Sequence, residues 1–376
     1  MKFDQSLTGE IGKLIIAHQI RRRVKMKKTL FVFLTAIMAI TLLVSCGKQS
    51  AASFLAAEVT DTGGIDDRSF NASAWRGLQD VNKSKGIQIQ YLQSTNQSDY
   101  VPNIQQFIQK KAGIIVTVGF LMGDDTQNAA KANPNQKFAI VDYAYDPPLT
   151  NVLALTFQTD EAAFLGGYLA AAMTKTGKVG TFGGMNIPTV TIFMNGFAAG
   201  VRYYNQKNGA KVQVLGWDAE TAQGTFTNDF TNQAKGKTVT ETLMNQGADV
   251  VLPVAGSVGL GAAAAVQQHN AATPASPVYM EWVDSDGYIF APQYGSLFLT
   301  SVMKQIDISV RDAAVAALGG SFKGGNYVGT LKNGGVAIAP YHDFDSKIPA
   351  NVKTDIETIK QGIIDGKISV DPKSYK

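Results

Sequence analysis

Val59-Thr60-Asp61-Thr62-Gly63-Gly64-Ile65-Asp66-Asp67-Arg68-Ser69-Phe70-Asn71 carries an apolar run into a Gly-Gly turn, an acidic pair and the start of a helix. Upstream, Phe54–Val59 has the composition of a buried strand. Downstream, Ala74-Trp75-Arg76-Gly77-Leu78 opens a helical spacing. Strand, tight turn and helix in that order are half of a βαβ unit, and such units bind ligands at the carboxyl ends of their strands. Asp67 or Ser69 suits a helix cap. One cap does not account for Asp61, Asp66, Asp67, Phe70 and Asn71 crowded at one strand end, so the loop reads as ligand-binding.

Outward from this loop the same rhythm continues. Ten short β-rich runs alternate with nine amphipathic or Ala-rich segments, the pattern of parallel α/β layers. The later ones include strands at 211–217 and 297–300 and a helix at 303–317. After about 100 residues of body the rhythm restarts near Val152–Gln158, so two doubly wound lobes are expected. The division expected is residues 53–156 plus 284–322 for the N-terminal lobe and 157–283 plus 323–376 for the C-terminal lobe. Asp371-Pro372-Lys373-Ser374-Tyr375-Lys376 reads as a solvated tail.

The chain has 376 residues, 34 Lys and Arg, 30 Asp and Glu, and a formal charge of +4. That charge belongs to one end. Residues 1–45 hold eight basic side chains against Asp4 and Glu10, which leaves 26 basic and 28 acidic residues beyond them, a net of −2. Such a body lacks the basic face that a nucleic-acid backbone requires, and no nucleic-acid partner is expected. Arg21-Arg22-Arg23-Val24-Lys25-Met26-Lys27-Lys28 is a cationic n-region. The fifteen uncharged residues Leu30–Val44 then form a signal-peptide core, short of the about 20 apolar residues of a membrane span. Met26 reads as a natural start alternative to Met1, in which case 1–25 are upstream sequence.

The single cysteine, Cys46, excludes an internal disulfide framework and a multi-cysteine zinc site. Leu43-Val44-Ser45-Cys46 resembles the lipobox of bacterial lipoproteins, in which the cysteine is acylated. Residues 1–45 then form a leader and 46–52 a tether, with the body held at the extracytoplasmic face of the cell membrane. Each buried lipid CH₂ contributes about 0.8 kcal/mol, enough for two or three acyl chains to retain a soluble body.

Other strand ends carry polar or aromatic groups: Gly119-Phe120 after Ile114–Val118, Asp142 after Phe138–Val141, and Asp284-Ser285-Asp286 after Tyr279–Val283. Two glycine motifs are discounted. Gly259-Leu260-Gly261 mimics a dinucleotide fingerprint within a broader glycine turn, and Gly236-Lys237-Thr238 lacks the leading glycine of a phosphate loop. His269 and His342 have too few partners for a metal site, and no nucleophile, base and oxyanion set assembles. No metal, cofactor or catalytic residue is expected.

The opening stretch together with Ala74–Leu78 resembles the first signature of the basic membrane protein family, the lipoprotein substrate-binding components of nucleoside ABC importers. Val118-Gly119-Phe120, Leu155–Gly167, Gly183-Gly184-Met185, Ala234-Lys235-Gly236-Lys237, Val283-Asp284-Ser285-Asp286 and Leu331–Val336 follow in the family's order, so the likeness covers nearly all of 54–340. It implies the type I periplasmic binding protein fold: α/β, two Rossmann-like lobes, three hinge crossovers. It also implies a purine nucleoside held between two rings, Phe70 and Phe230. Between Val214 and Lys235 the chain is longer than the family's short Gly-Ser-Phe form, so Trp217 and Phe226 stand as alternatives for the second ring.

By the same resemblance Asp142 and one of Asp66 and Asp67 hydrogen-bond the base, the other of that pair being a cap. Gly256, Asp284 and Lys304 address the ribose. The implied partners are a permease and a separate ATPase, and the implied state is a monomer. Two other readings use the same cleft. One is capture of a sugar or other small polar solute; the other is extracellular nucleoside hydrolysis through the Asp61-Asp66-Asp67 cluster, for which the sequence offers no convincing general acid.

Overall fold

The computed structural model describes residues 53–375. The leader and the whole tether, Cys46 included, lie outside the described residues, as does Lys376. Among the described residues no helix is long and apolar enough to cross a membrane.

Six strands form the first sheet: β1 (Leu55–Thr60), β2 (Gln88–Leu92), β3 (Ile114–Val118), β4 (Phe138–Val141), β5 (Val152–Phe157) and β13 (Gly325–Gly329). Their order is β13-β5-β4-β3-β1-β2, all parallel. Strands covered by helices on both faces read as continuous apolar runs, and β1, β3 and β4 are buried at every position. The edge strand β2, Gln-Ile-Gln-Tyr-Leu, is mostly exposed.

The second sheet contains β6 (Lys178–Gly183), β7 (Gln213–Leu215), β10 (Val250–Val254), β11 (Tyr279–Asp284), β12 (Phe298–Lys304) and β14 (Val336–Ile338). Its order is β14-β12-β11-β10-β6-β7, with β14 antiparallel to β12. The first sheet's order is thus matched position for position, and β4 and β11 hold the same place. A small hairpin, β8 (Trp217–Asp218) and β9 (Gln223–Gly224), follows β7. The expected strand 211–217 breaks at Gly216, whose φ of +81° turns the chain away from the sheet.

The chain passes between the sheets three times, from β5 to β6, from β12 to β13 and from β13 to β14. Two expectations change here. Residues 284–322 do not all join the first lobe, because β12 pairs with β11 and β14 in the second sheet. Nor does 323–376 lie wholly in the second lobe, because β13 pairs with β5. Periodicity reports local structure, whereas the sheet a strand joins is a long-range pairing. The helix expected from 303 accordingly starts at Ile306, after Met303 and Lys304 have completed β12.

Helices fill the faces: α1 (Phe70–Lys85), α2 (Tyr100–Gln109), α3 (Gly123–Ala132), α4 (Thr159–Met173), α5 (Pro188–Asn208), α6 (Gln233–Asn245), α7 (Val258–Ala272), the short α8 (Gly287–Phe290), α9 (Ile306–Gly319) and α10 (Ala350–Ile364). α5 starts on Pro188, whose missing N–H is no loss in a first turn, and stops at Gly209 in the left-handed region. α4 and α5 touch backbone to backbone. A Cβ on Gly167 would lie 2.0 Å from Phe197 O, and one on Gly200 2.0 Å from Phe164 O.

The C-terminal residues are not a solvated tail. Tyr375 is 7% exposed, its ring centre lies 5.3 Å from that of Tyr203, and its hydroxyl donates to Ser369 O at 2.6 Å. Arg202 on α5 donates to Pro372 O at 2.9 Å. One aromatic residue in a polar hexapeptide is enough to anchor it on the α5 surface.

Gly167→Ala is expected to force α4 and α5 apart and to lower stability by about 1–3 kcal/mol, the usual cost of overpacking. Gly319→Ala, with nothing within 4 Å and no unusual φ, is expected to be neutral or slightly stabilising. Urea unfolding of both variants checks the contrast; equal stabilities would contradict the backbone contact.

Candidate functional site

A cleft of about 580 Å³, its mouth included, lies where the carboxyl ends of the two sheets face each other. That is within the range of small-molecule sites. The first lobe supplies Asp61, Asp67, Phe70, Asn71, Phe120 and Asp142 to its lining. The second supplies Phe193, Phe230, Gly256, Asp284 and Lys304.

Its centre is a buried ion cluster. Lys304, the last residue of β12 and 4% exposed, places Nζ 2.5 Å from Asp142 Oδ2 and 3.4 Å from Asp284 Oδ1. Asp142 follows β4 and Asp284 ends β11, the matching strands of the two sheets. Both have left-handed backbones, φ 67° and 66°. Such conformations are sparsely populated and persist where the surroundings fix them, characteristically at ligand sites. Burial pushes the Asp142 carboxyl up to about 6 despite the Lys304 ammonium. Burial would pull Lys304 down, but Asp142 and Asp284 more than offset it and its pKa is raised. The ammonium also stands 5.0 Å from the ring centre of Phe70 and 5.1 Å from that of Phe193, within cation–π range.

The loop after β1 divides its acidic residues by task. Asp67 is buried, and its carboxylate accepts the N–H groups of Ser69 (3.0 Å), Asn71 (2.7 Å) and Ala72 (3.0 Å) together with Asn71 Nδ2 (3.0 Å). It caps α1, satisfying donors that the first turn leaves unpaired. Burial raises it to about 7 against the pull of these donors. Asp66 is exposed, lies outside the cleft and borders a surface groove with Trp75 and Arg76. Of the acidic pair, then, Asp67 is the cap, and Asp66, turned outward, is not among the cleft-lining residues where a base contact was expected. Asp61 Oδ1 accepts from Gly63 N and Asn71 Nδ2, both at 2.8 Å. Its Oδ2 lies beside Gly119 with no hydrogen-bond donor on it among the described residues. Burial raises this carboxyl too.

Hydrogen bonds join the lobes beside the cleft. Ser69 Oγ lies 2.9 Å from Val283 O and 3.0 Å from Asp284 Oδ2 and, with one proton, donates to one at a time. Trp282 Nε1 and Ser285 Oγ both donate to Arg68 O, at 3.3 and 3.2 Å.

Of the three rings considered for the second lobe, Phe230 alone lines the cleft. Trp217 is buried and donates Nε1 to Asn195 Oδ1 at 3.0 Å, and Phe226 packs edge-on against it. Sequence reasoning missed Phe193, in the second turn of α5, because a phenylalanine on a helix's buried face looks like core. The glycine-rich end of β6 immediately before it was the available signal.

Lys304→Met is expected to leave Asp142 and Asp284 buried without a cation and to cost about 3–5 kcal/mol at pH 7.5. Asp142 already has a folded-state pKa above its unfolded one, and loss of the ammonium lifts it further. A group shifted this way stabilises at low pH and loses that contribution as pH rises through its folded value. The deficit should therefore shrink as pH falls towards about 6, the folded Asp142 value, and be smaller at pH 5 than at pH 7.5. Denaturant midpoints at pH 5 and 7.5 decide this; a deficit independent of pH contradicts it.

Known proteins resemble this chain over most of its length. The profile of a family described as "ABC transporter substrate-binding protein PnrA-like" matches residues 54–373. An ABC transporter nucleoside-binding protein of Lactococcus lactis is 33% identical over 368 residues, covering 92% of this chain and 99% of its own. A CD4+ T-cell-stimulating antigen of Listeria monocytogenes is 33% identical over 338 residues, covering 86% and 90%. A crystallised ABC transporter solute-binding protein of Aeropyrum pernix superposes with a TM-score of 0.76 at 26% identity, covering 84% of this chain and 92% of that one. With a matching profile over most of its length and two lobes meeting at a lined cleft, the chain belongs to the PnrA-like family of ABC transporter substrate-binding proteins.

Proposed function

We propose that this chain captures a purine nucleoside in the cleft and delivers it to a membrane permease driven by a separate ATPase. In this reading lipid on Cys46 holds it, as a monomer, at the extracytoplasmic face of the membrane. The observation that carries the reading is one cleft lined by rings from both lobes, Phe70 and Phe230, and by strand-end carboxylates with a single lysine among them. A planar heterocycle between two rings gains about 1–3 kcal/mol per stack. Carboxylates accept hydrogen bonds from ring N–H groups, exocyclic amines or paired ribose hydroxyls.

Asp61 and Asp142 suit the base, because Asp61 keeps an oxygen free of protein donors while the oxygens of Asp67 are occupied by α1. Asp284, Gly256 and Lys304 suit the pentose. Asp61, Asp67, Asp142 and Asp284 line the cleft against one basic side chain, Lys304, and this excess of negative charge disfavours a ligand bearing phosphate. The Lactococcus relative, named as nucleoside-binding, points the same way.

Phe70→Ala is expected to weaken nucleoside binding about tenfold or more, the scale of one lost stack. Calorimetry with inosine, guanosine and adenosine measures it, and unchanged affinity for all three would overturn the assignment. Asp284→Ala should weaken nucleosides while sparing the free bases, which lack the pentose. A parallel loss for hypoxanthine and inosine would move Asp284 from the sugar to the base.

A further inference from the structure

Phe230 reaches the cleft from the loop between β9 and α6, and that loop is strapped to the end of β6. Gly183 N donates to Thr225 O at 3.0 Å, Thr227 N to Gly183 O at 3.0 Å, and Asp229 N to Gly184 O at 3.3 Å. From the other side Ser257 Oγ donates to Phe230 O at 2.7 Å. The Asp229 carboxylate accepts from Thr231 N at 2.8 Å, Asn232 N at 3.0 Å and Lys235 Nζ at 3.1 Å. The backbone that bears the ring is therefore fixed on both sides.

The ring itself is located by atoms that are not there. A Cβ on Gly183 would stand 2.6 Å from Phe226 Cδ1, and one on Gly184 would stand 2.3 Å from Phe230 Cε1. Neither residue has a positive φ. Backbone conformation therefore does not call for glycine at either position; the two rings come closest, with Val190 Cγ1 next at 2.8 Å from the first and Asp229 O next at 3.0 Å from the second. Phe226 lies outside the cleft lining, meets Trp217 edge-on at 6.1 Å and wedges the strap against Gly183.

We propose that Gly184 is a positioning residue for Phe230: its missing side chain sets how far the ring stands back from the first lobe, and so the width of the slot offered to a planar ligand. Phe226 over Gly183 anchors the strap that carries the ring. Carbon atoms reach favourable contact at about 3.5–4.0 Å, so an alanine at 184 requires the ring to move by roughly 1 Å or change rotamer. Phe230 lines the cleft and Gly184 does not, so a ring pushed off Gly184 has the cleft to move into. The consequence for ligand rests on the nucleoside reading; the placement of the ring does not.

The test is a double-mutant cycle on inosine affinity by calorimetry, with wild type, Gly184→Ala, Phe230→Ala and the double variant. Gly184→Ala is expected to weaken binding about tenfold, the scale of a lost stack, and to add nothing in the Phe230→Ala background. No loss in the wild-type background, or the same loss in both, overturns the proposal, since a purely structural glycine would act independently of the ring. If Phe230→Ala binds inosine as wild type does, Phe230 is not a stacking ring and the proposal falls with it; if wild type binds no nucleoside, the nucleoside reading fails instead. A crystal structure of Gly184→Ala then decides the positioning role: a Phe230 ring displaced in an otherwise unchanged fold supports it, and an unmoved ring overturns it.

Discussion

A lysine ammonium buried between two carboxylates is the constraint around which the two lobes are arranged. Removing three charges from water is costly, and such a cluster persists only when its geometry is held from several directions. Here Lys304 comes from the end of β12, Asp284 from the end of β11, and Asp142 crosses from the first sheet. The left-handed backbones of both aspartates are a further commitment to that geometry. The cluster lies at the centre of the cleft, has Phe70 and Phe193 within cation–π range of its ammonium, and joins the two lobes by an ion pair.

The internal likeness of the two sheets explains why the cluster can exist. Matching strand orders place β4 and β11 at equivalent positions, so Asp142 and Asp284 meet the cleft from corresponding rims. The lobes differ at the rings. In the first, Phe70 sits on the first turn of a helix capped by Asp67; in the second, Phe230 rides on a loop tied down beside β6. A cap and a strap are different local solutions to presenting one rigid aromatic face.

Much of this was legible in the chain. Apolar runs such as Ile114–Val118 could only be strands covered on both faces, and the polar residues at their ends marked the rim. The Gly-Gly loop after β1 announced a site, although not which acid did what. Asp61, Asp66 and Asp67 differ by which way a turn points them, and composition does not carry that. Sheet membership of β12 and β13 was hidden because pairing is non-local. The glycine decoys have a packing explanation: a Cβ on Gly236 would lie 2.1 Å from Val258 O, and one on Gly261 1.8 Å from Gln233 O. Those glycines let α6 and α7 touch, and no phosphate is needed to account for them. Phe193 and the buried Tyr375 were missed because one apolar residue in a helix or a tail gives no periodic signal.

The pairing of β13 with β5 has a consequence for how the chain comes to be folded. The first sheet begins at Leu55 and is finished only by Gly325–Gly329. A nascent chain therefore cannot complete its leading half until nearly all of it has emerged, and the edge of β5 stays unprotected until then. Interleaved connectivity of this kind raises contact order and slows assembly. It also leaves an open strand edge during that interval, a known route to misassociation. Collapse as one piece, once nearly the whole chain is available, is the order of events such wiring favours.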